Sequence, residues 1–208
     1  VNHSFLVSFG KAALTIILKA LHEPHPERNE VIIPAFTCYS VPSAILKAGL
    51  EIRLCDINPD TLDFDVEQLE KEISRPSVLA VIPTHLFGMP ADIRRIRNIT
   101  TAKKVWIVED AAQAMGGESN HQKIGTLGDV GFFSLGRGKA FSTVEGGIIL
   151  TSHTRLADRI EKQMADLPGY SRLATLKLVI YAVILNIFMR PACFWFPKAL
   201  PFLKLGET

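Results

Sequence analysis

Over its first 110 residues the chain alternates short apolar runs with segments of helical periodicity, and few folds accommodate that order. The segment GKAALTIILKALH, from Gly10 to about His22, repeats apolar residues at helical spacing, with Ala12, Ala13, Ile16, Ile17, Ala20 and Leu21 on one stripe. Val31-Ile32-Ile33, closed by Pro34, reads as a buried strand. Residues 40–49 read as a helix that stops at Gly49. EIRLCDI is a second strand, and VEQLEKEI is a helix with Asp65 as its N-cap. VLAVI at 78–82 is a third strand, PADIRRIRNI a helix with proline in its first turn, and VWIVED a fourth strand. Strand and helix in strict succession imply a three-layer α/β/α fold with a mostly parallel mixed sheet.

Beyond Asp110 the pattern loosens. AAQAMGG reads as a turn or half-helix, SNHQKIGTLGD as a loop or hairpin, GGIILTS as a further strand and 154–165 as a polar helix. With 48% hydrophobic residues in 208, the chain can bury enough apolar surface to fold. A formal net charge of +2 gives no reason to expect nucleic acid. Cys38, Cys55 and Cys193 form neither a metal spacing nor a disulfide framework, which fits a reducing, cytoplasmic compartment and no metal site. No signal peptide is visible after Val1, and both ends read as cut.

Three features carry chemistry. In open α/β sheets ligands bind at the carboxyl ends of strands, and VWIVED delivers Glu109 and Asp110 there. The small residues Ala111 and Ala112 after them would admit a flat ligand, although for an isolated Asp a turn cap is the better account. The second feature is GDVGFFSLGRGKAFSTVEGG, in which Ser134 and Lys139 are the functional groups. It fails the P-loop pattern, because Phe133 and Ala140 stand where Gly and Ser or Thr are needed. It fails the dinucleotide fingerprint at Phe141. Taken alone, it is a solvated lysine in a glycine loop. Third, Ser8-Phe9-Gly10-Lys11 opens the first helix, where free N–H groups and the dipole suit a phosphate. Most such glycines are simple helix starts. Together the three are the parts of a pyridoxal phosphate site: a lysine for a Schiff base, a carboxylate for the pyridine nitrogen, donors for the phosphate, and a slot that Ala112 lines.

The sequence resembles the DegT/StrS family of aminotransferases, which mostly aminate keto sugars carried on nucleotides. The resemblance covers roughly residues 5–165. FGKAAL looks like the family's SGTAAL turn, and residues 31–73 look like its long strand-helix-strand stretch. VIPTHLFGMPADI resembles its V-H-x-x-G-x-x-x-D segment. EDAAQAMG is similar to E-D-A-A-Q-A-x-G, and FFSLGRGKAFSTVEGGIILT to F-S-F-x-x-x-K-x-x-x-x-x-E-G-G-x-x-x-T. The resemblance implies the type I pyridoxal phosphate fold, with a seven-stranded sheet, in a homodimer. It makes Lys139 the Schiff-base lysine and the acid/base of the 1,3-proton shift. Asp110 would pair with the pyridine nitrogen, Gln113 would lie beside the ring's phenolic oxygen, and Ser134, Gly10 and Lys11 would hold the phosphate. Lys11 stands where threonine is frequent. Cys38 stands where an aromatic usually stacks on the ring, so either Tyr39 swings in or stacking is reduced. His85 lies in a matched segment, where a structural role is at least as good an account as a catalytic one. Arg137 would contact an anionic substrate group or stand in solvent. Relatives with histidine in place of the lysine eliminate a hydroxyl instead; Lys139 argues against that branch. The implied activity moves an amino group from a donor such as glutamate to a keto sugar nucleotide; the alternative is a relative that binds the cofactor without turnover.

The resemblance also divides the chain. Residues 1–170 are expected to form the cofactor-binding large domain, and 171–208 an apolar helical segment leading to a small C-terminal domain that is missing. Residues 173–189, LATLKLVIYAVILNIFM, touch the lower limit for a membrane span but contain Lys177 and Asn186. A buried or partner-contacting helix ranks first for them, a membrane-surface helix second, a spanning helix third.

Overall fold

The apolar runs become strands, and those inside the sheet are buried on both faces. In the computed structural model, which describes residues 1–165, 167–188 and 190–198, β2 is Glu30–Pro34, β3 Glu51–Cys55, β4 Val78–Val81 and β5 Trp106–Asp110. Val31 and Ile33 of β2 pack on one side of the sheet and Ile32 on the other. That two-sided burial is why β2, β4 and β5 read as continuous rather than alternating hydrophobic runs, whereas β3, at the sheet edge, leaves Glu51 and Leu54 exposed. Three further strands complete the sheet: β1 His3–Val7, β8 Val130–Ser134 and β9 Gly147–Thr151. The order is β1-β9-β8-β5-β4-β2-β3. Every pairing from β8 to β3 is parallel, whereas β9 runs antiparallel to both β8 and β1. The sheet is therefore mixed but mostly parallel.

Helices cover both faces. On one side lie α1 (Gly10–His22), α2 (Ser40–Lys47) and α5 (Thr154–Ala165), whose Leu14, Ile45 and Ile160 share a core with Val31, Val108 and Ile149. On the other lie α3 (Val66–Ile73) and α4 (Ile93–Thr100), whose Leu69 and Ile96 pack with Ile32, Val81 and Ile107. The stripe expected on α1 is only part of what it buries, because Leu14, Thr15 and Leu18 are enclosed as well. The helix is covered by α2, by α5 and by the sheet at β8 and β9.

Asp65 caps α3, its side chain accepting a hydrogen bond from the Gln68 N–H at 3.0 Å. The helix after β4 begins later than its sequence suggests. Asp92 caps it through the Arg95 N–H, which leaves Pro90 outside the first turn. A side chain that captures a free N–H outcompetes a proline two residues earlier as the start signal. The polar segment after Asp110 forms a hairpin of two-residue strands, β6 Glu118–Ser119 and β7 Gln122–Lys123.

The chain divides into two compact units, Val1–Leu167 and Pro168–Thr208. The second contains α6 (Arg172–Phe188) and α7 (Pro191–Lys198). Among the described residues no helix is long and apolar enough to cross a membrane.

Candidate active site

Parallel strands bring their carboxyl ends to one edge, and the chemistry-bearing residues gather there. β5 ends at Asp110, β8 at Ser134, and β4 runs into Thr84 and His85. Because β9 is antiparallel, its first residue, Gly147, lies at this edge too, opposite both Ser134 and Val7. The turn from β1 into α1 follows directly at Ser8-Phe9-Gly10.

Gly10 is buried against Ser134. A Cβ at Gly10 would stand 2.9 Å from the Ser134 Cβ, so only glycine permits this approach without a shift. The N-cap residue Phe9 supplies no side-chain hydrogen bond to α1, and the first turn holds no acid. The helix thus presents uncapped N–H groups beside the Ser134 hydroxyl, the donor set an anion needs. Lys11 is exposed in the same turn.

Lys139 sits in a loop that leaves and returns at the same edge. The Leu135 N–H donates to the Gly146 carbonyl at 2.9 Å, and the Thr143 N–H to the Leu135 carbonyl at 3.0 Å, closing the base. The Lys139 N–H donates to the Gly136 carbonyl at 3.2 Å across Gly138, whose φ of 78° is left-handed. Lys139 is half-buried.

Asp110 is 5% exposed. Burial pushes its pKa up, opposed by the Ala112 N–H, which donates to Oδ1 at 3.0 Å, and by the positive charge of Lys139. The turn cap is thus present, and the charge of Lys139 reaches the same carboxyl. Ala112 and Gln113 follow on the same turn, half-buried. The Gln113 Oε1 accepts the Phe87 N–H at 3.1 Å, which orients its amide. Tyr39 is not turned inward: it is 82% exposed at the start of α2. Cys38 is exposed as well, its Sγ accepting from the Ser40 hydroxyl at 3.1 Å. The site edge is therefore defined by Gly10, Asp110, Ser134 and Lys139, with Cys38 and Tyr39 at its periphery.

Beneath Asp110 lies a pair that sequence reading left unresolved. His85 and Glu109 are wholly buried, 2.9 Å apart between Nε2 and Oε2. The His85 Nδ1 accepts the Ala91 N–H at 3.0 Å, so the ring proton is on Nε2 and donates to Glu109. Glu109 also accepts the N–H groups of Gly125 and Gly128. This is a structural role for His85. Its backbone N–H donates to the Asp110 carbonyl at 3.0 Å, which ties β4 to β5 where the acid emerges. Sequence reading also passed over Thr37 and Thr84, whose hydroxyl oxygens are buried at this edge with no protein partner. A hydroxyl at a strand end carries no periodic signal.

Residues 1–175 match the model of the DegT/DnrJ/EryC1/StrS aminotransferase family. The chain is 33% identical over 166 residues to the L-glutamine:2-deoxy-scyllo-inosose aminotransferase of Streptomyces kanamyceticus, covering 80% of this chain and 38% of that protein. Among solved structures it resembles DesI, determined in the presence of its TDP-sugar product, with a TM-score of 0.73 and 31% identity over 84% of this chain and 44% of that one. It also resembles the E. coli GDP-4-keto-6-deoxy-D-mannose-3-dehydratase with bound hydrated pyridoxal phosphate, with a TM-score of 0.68 and 28% identity over 75% of this chain and 41% of that one. The chain thus spans less than half the length of each. The family's cofactor is pyridoxal phosphate, and this edge fits it. The uncapped turn and Ser134 suit its phosphate, the buried acid its ring nitrogen, the lysine its aldehyde, and the Thr37 and Thr84 hydroxyls are free to bond to it. By its matched residues and its fold, the chain belongs to the DegT/DnrJ/EryC1/StrS aminotransferase family.

Proposed function

We propose that this chain is the cofactor-binding part of an aminotransferase that moves an amino group from an amino-acid donor to a keto sugar nucleotide. Bound pyridoxal phosphate supplies an electron sink for the carbon that loses its proton. In this reading residues 1–170 are the large domain and 171–208 lead toward a smaller one, in a homodimer. Asp110 holds a proton on the ring nitrogen from its buried position. Ser134 and the Gly10–Lys11 turn hold the phosphate, Gln113 faces the ring's oxygen, and Ala112 lines the slot. The Lys139 Nζ attaches the cofactor, then accepts and returns the proton that shifts during transfer.

The observation that carries the reading is the convergence of Asp110, Lys139, Ser134 and Gly10 on one sheet edge, with Asp110 close enough to Lys139 to feel its charge. Relatives support both halves of the substrate assignment. One carries L-glutamine as donor in its name, and DesI was solved with a TDP-sugar. Lys139 favours amino transfer over the dehydration named for the third relative. Protein purified with pyridoxal phosphate should absorb in the visible range, and Lys139→Ala should abolish that band. An unchanged spectrum refutes the assignment.

The outward placement of Tyr39 and Cys38 favours a second reading, a relative that binds the cofactor without turnover. Incubation with glutamate or glutamine separates the two: formation of the corresponding 2-oxo acid identifies the enzyme, and a retained band without it identifies the binder.

A further inference from the structure

The charge of this chain is unevenly distributed. Residues 1–166 hold two more acids than bases, whereas residues 167–206 hold five bases and neither Asp nor Glu. The formal charge of +2 therefore arises wholly from the C-terminal part. That part is also the most apolar. No residue of α6 is buried. Leu173, Leu176, Ile180, Val183, Ile184 and Ile187 are each at least 44% exposed. At 100° per residue they fall on one stripe about 100° wide, so the exposed apolar surface is a continuous face along the helix. The opposite face, with Ala174, Leu178, Ala182 and Leu185, is half-buried. Arg172 and Lys177 border the exposed stripe, and Arg190 follows the helix. Tyr170, Tyr181 and Trp195 are exposed in the same unit.

A second copy of the chain is the alternative occupant of such a stripe, but it would bring the same five bases of residues 167–206 and no acid from that segment to answer them. An anionic lipid surface answers both properties at once, taking up the aliphatic face among its acyl chains and the cations among its headgroups. Aromatic side chains suit the boundary between the two. With no described helix able to span, the fit is to a helix lying in the leaflet. We infer that the unit Pro168–Thr208 docks this protein on an anionic membrane surface through the α6 stripe.

The full chain, loaded with pyridoxal phosphate, is floated with vesicles of phosphatidylcholine alone and of phosphatidylcholine mixed with phosphatidylglycerol. It should float with the mixed vesicles and weakly or not at all with neutral ones. The double variant Arg172→Glu/Lys177→Glu should bind at least about tenfold more weakly. Ile180→Ser/Ile184→Ser should release the protein at high salt, where apolar insertion alone holds it. Equal binding to both vesicle types, or none to either, overturns the inference. So does a concentration-dependent dimer that Ile180→Ser/Ile184→Ser dissolves while vesicles go unbound, because the second copy is then the occupant. The cofactor band, read on the same samples, reports the aminotransferase assignment separately, since every substitution lies outside Val1–Leu167.

Discussion

Asp110 is placed where a carboxylate is least comfortable, at 5% exposure, with one backbone donor and a lysine's charge as compensation. Its raised pKa means that the folded chain holds the proton more tightly than the unfolded chain. That contribution to stability is full below the ordinary aspartate range and is lost as pH rises through the raised value. Ionising Asp110 in the cofactor-free protein therefore works against the fold. Asp110→Asn keeps an oxygen for the Ala112 N–H and removes the ionisable group. It should raise the melting temperature of cofactor-free protein at pH 7 by roughly 2–4 °C, while weakening cofactor binding, both read by thermal melts with and without pyridoxal phosphate. Loss of stability in both melts would contradict this account. Asp110, Ser134 and Lys139 could be singled out in the sequence by residue type, and Gln113 only through the family motif. Glu109 and His85 were not joined, because their pairing depends on β4 and β5 lying side by side.

At the scale of elements, β2 is tied to its surroundings by one acid. Glu30 is buried and accepts from Arg75 at 3.0 and 3.2 Å and from Arg53 of β3 at 2.6 Å. The Arg75 hydrogen bond, reinforced by Arg53, draws its pKa from 4.5 to about 2. The stabilisation is present above 4.5 and is lost as pH falls toward 2, worth about 3 kcal/mol before solvent screening at the partly exposed Arg53 and Arg75 reduces it to about 2. Glu30→Gln should lower unfolding free energy by that order at pH 7 and by less than half as much at pH 3, measured by urea titration. An equal loss at both would show that shape, not charge, matters there. The two-face-buried strands and the helices between them were legible from their apolar runs. β1 and β8 were not. β1 is a five-residue edge strand with alternating partial burial, and β8 lies in a glycine-rich segment dominated by its loop.

At the scale of the molecule, the two units are joined through residues 167–171, which are exposed and outside any helix or strand. Brief chymotrypsin digestion should cut first after Tyr170, with Leu167 protected by the proline that follows it, and mass spectrometry should find a fragment ending there. Earlier cutting at Phe141, 58% exposed near Lys139, would instead make the lysine loop the weakest segment. The division at residue 170, drawn from the family resemblance, stands three residues past Leu167, where the first unit ends. The pairing of β1 with β9 was not readable, since it joins His3 to Thr151. That pairing also sets a timetable for synthesis. At ~5–20 residues per second, the first strand waits about 7–30 s after it emerges before its partner has been made. For that interval the Phe5-Leu6-Val7 segment and the Gly10 turn exist without the Gly147 and Ser134 backbone they pack against, so the proposed phosphate end of the site cannot form until synthesis has passed β9.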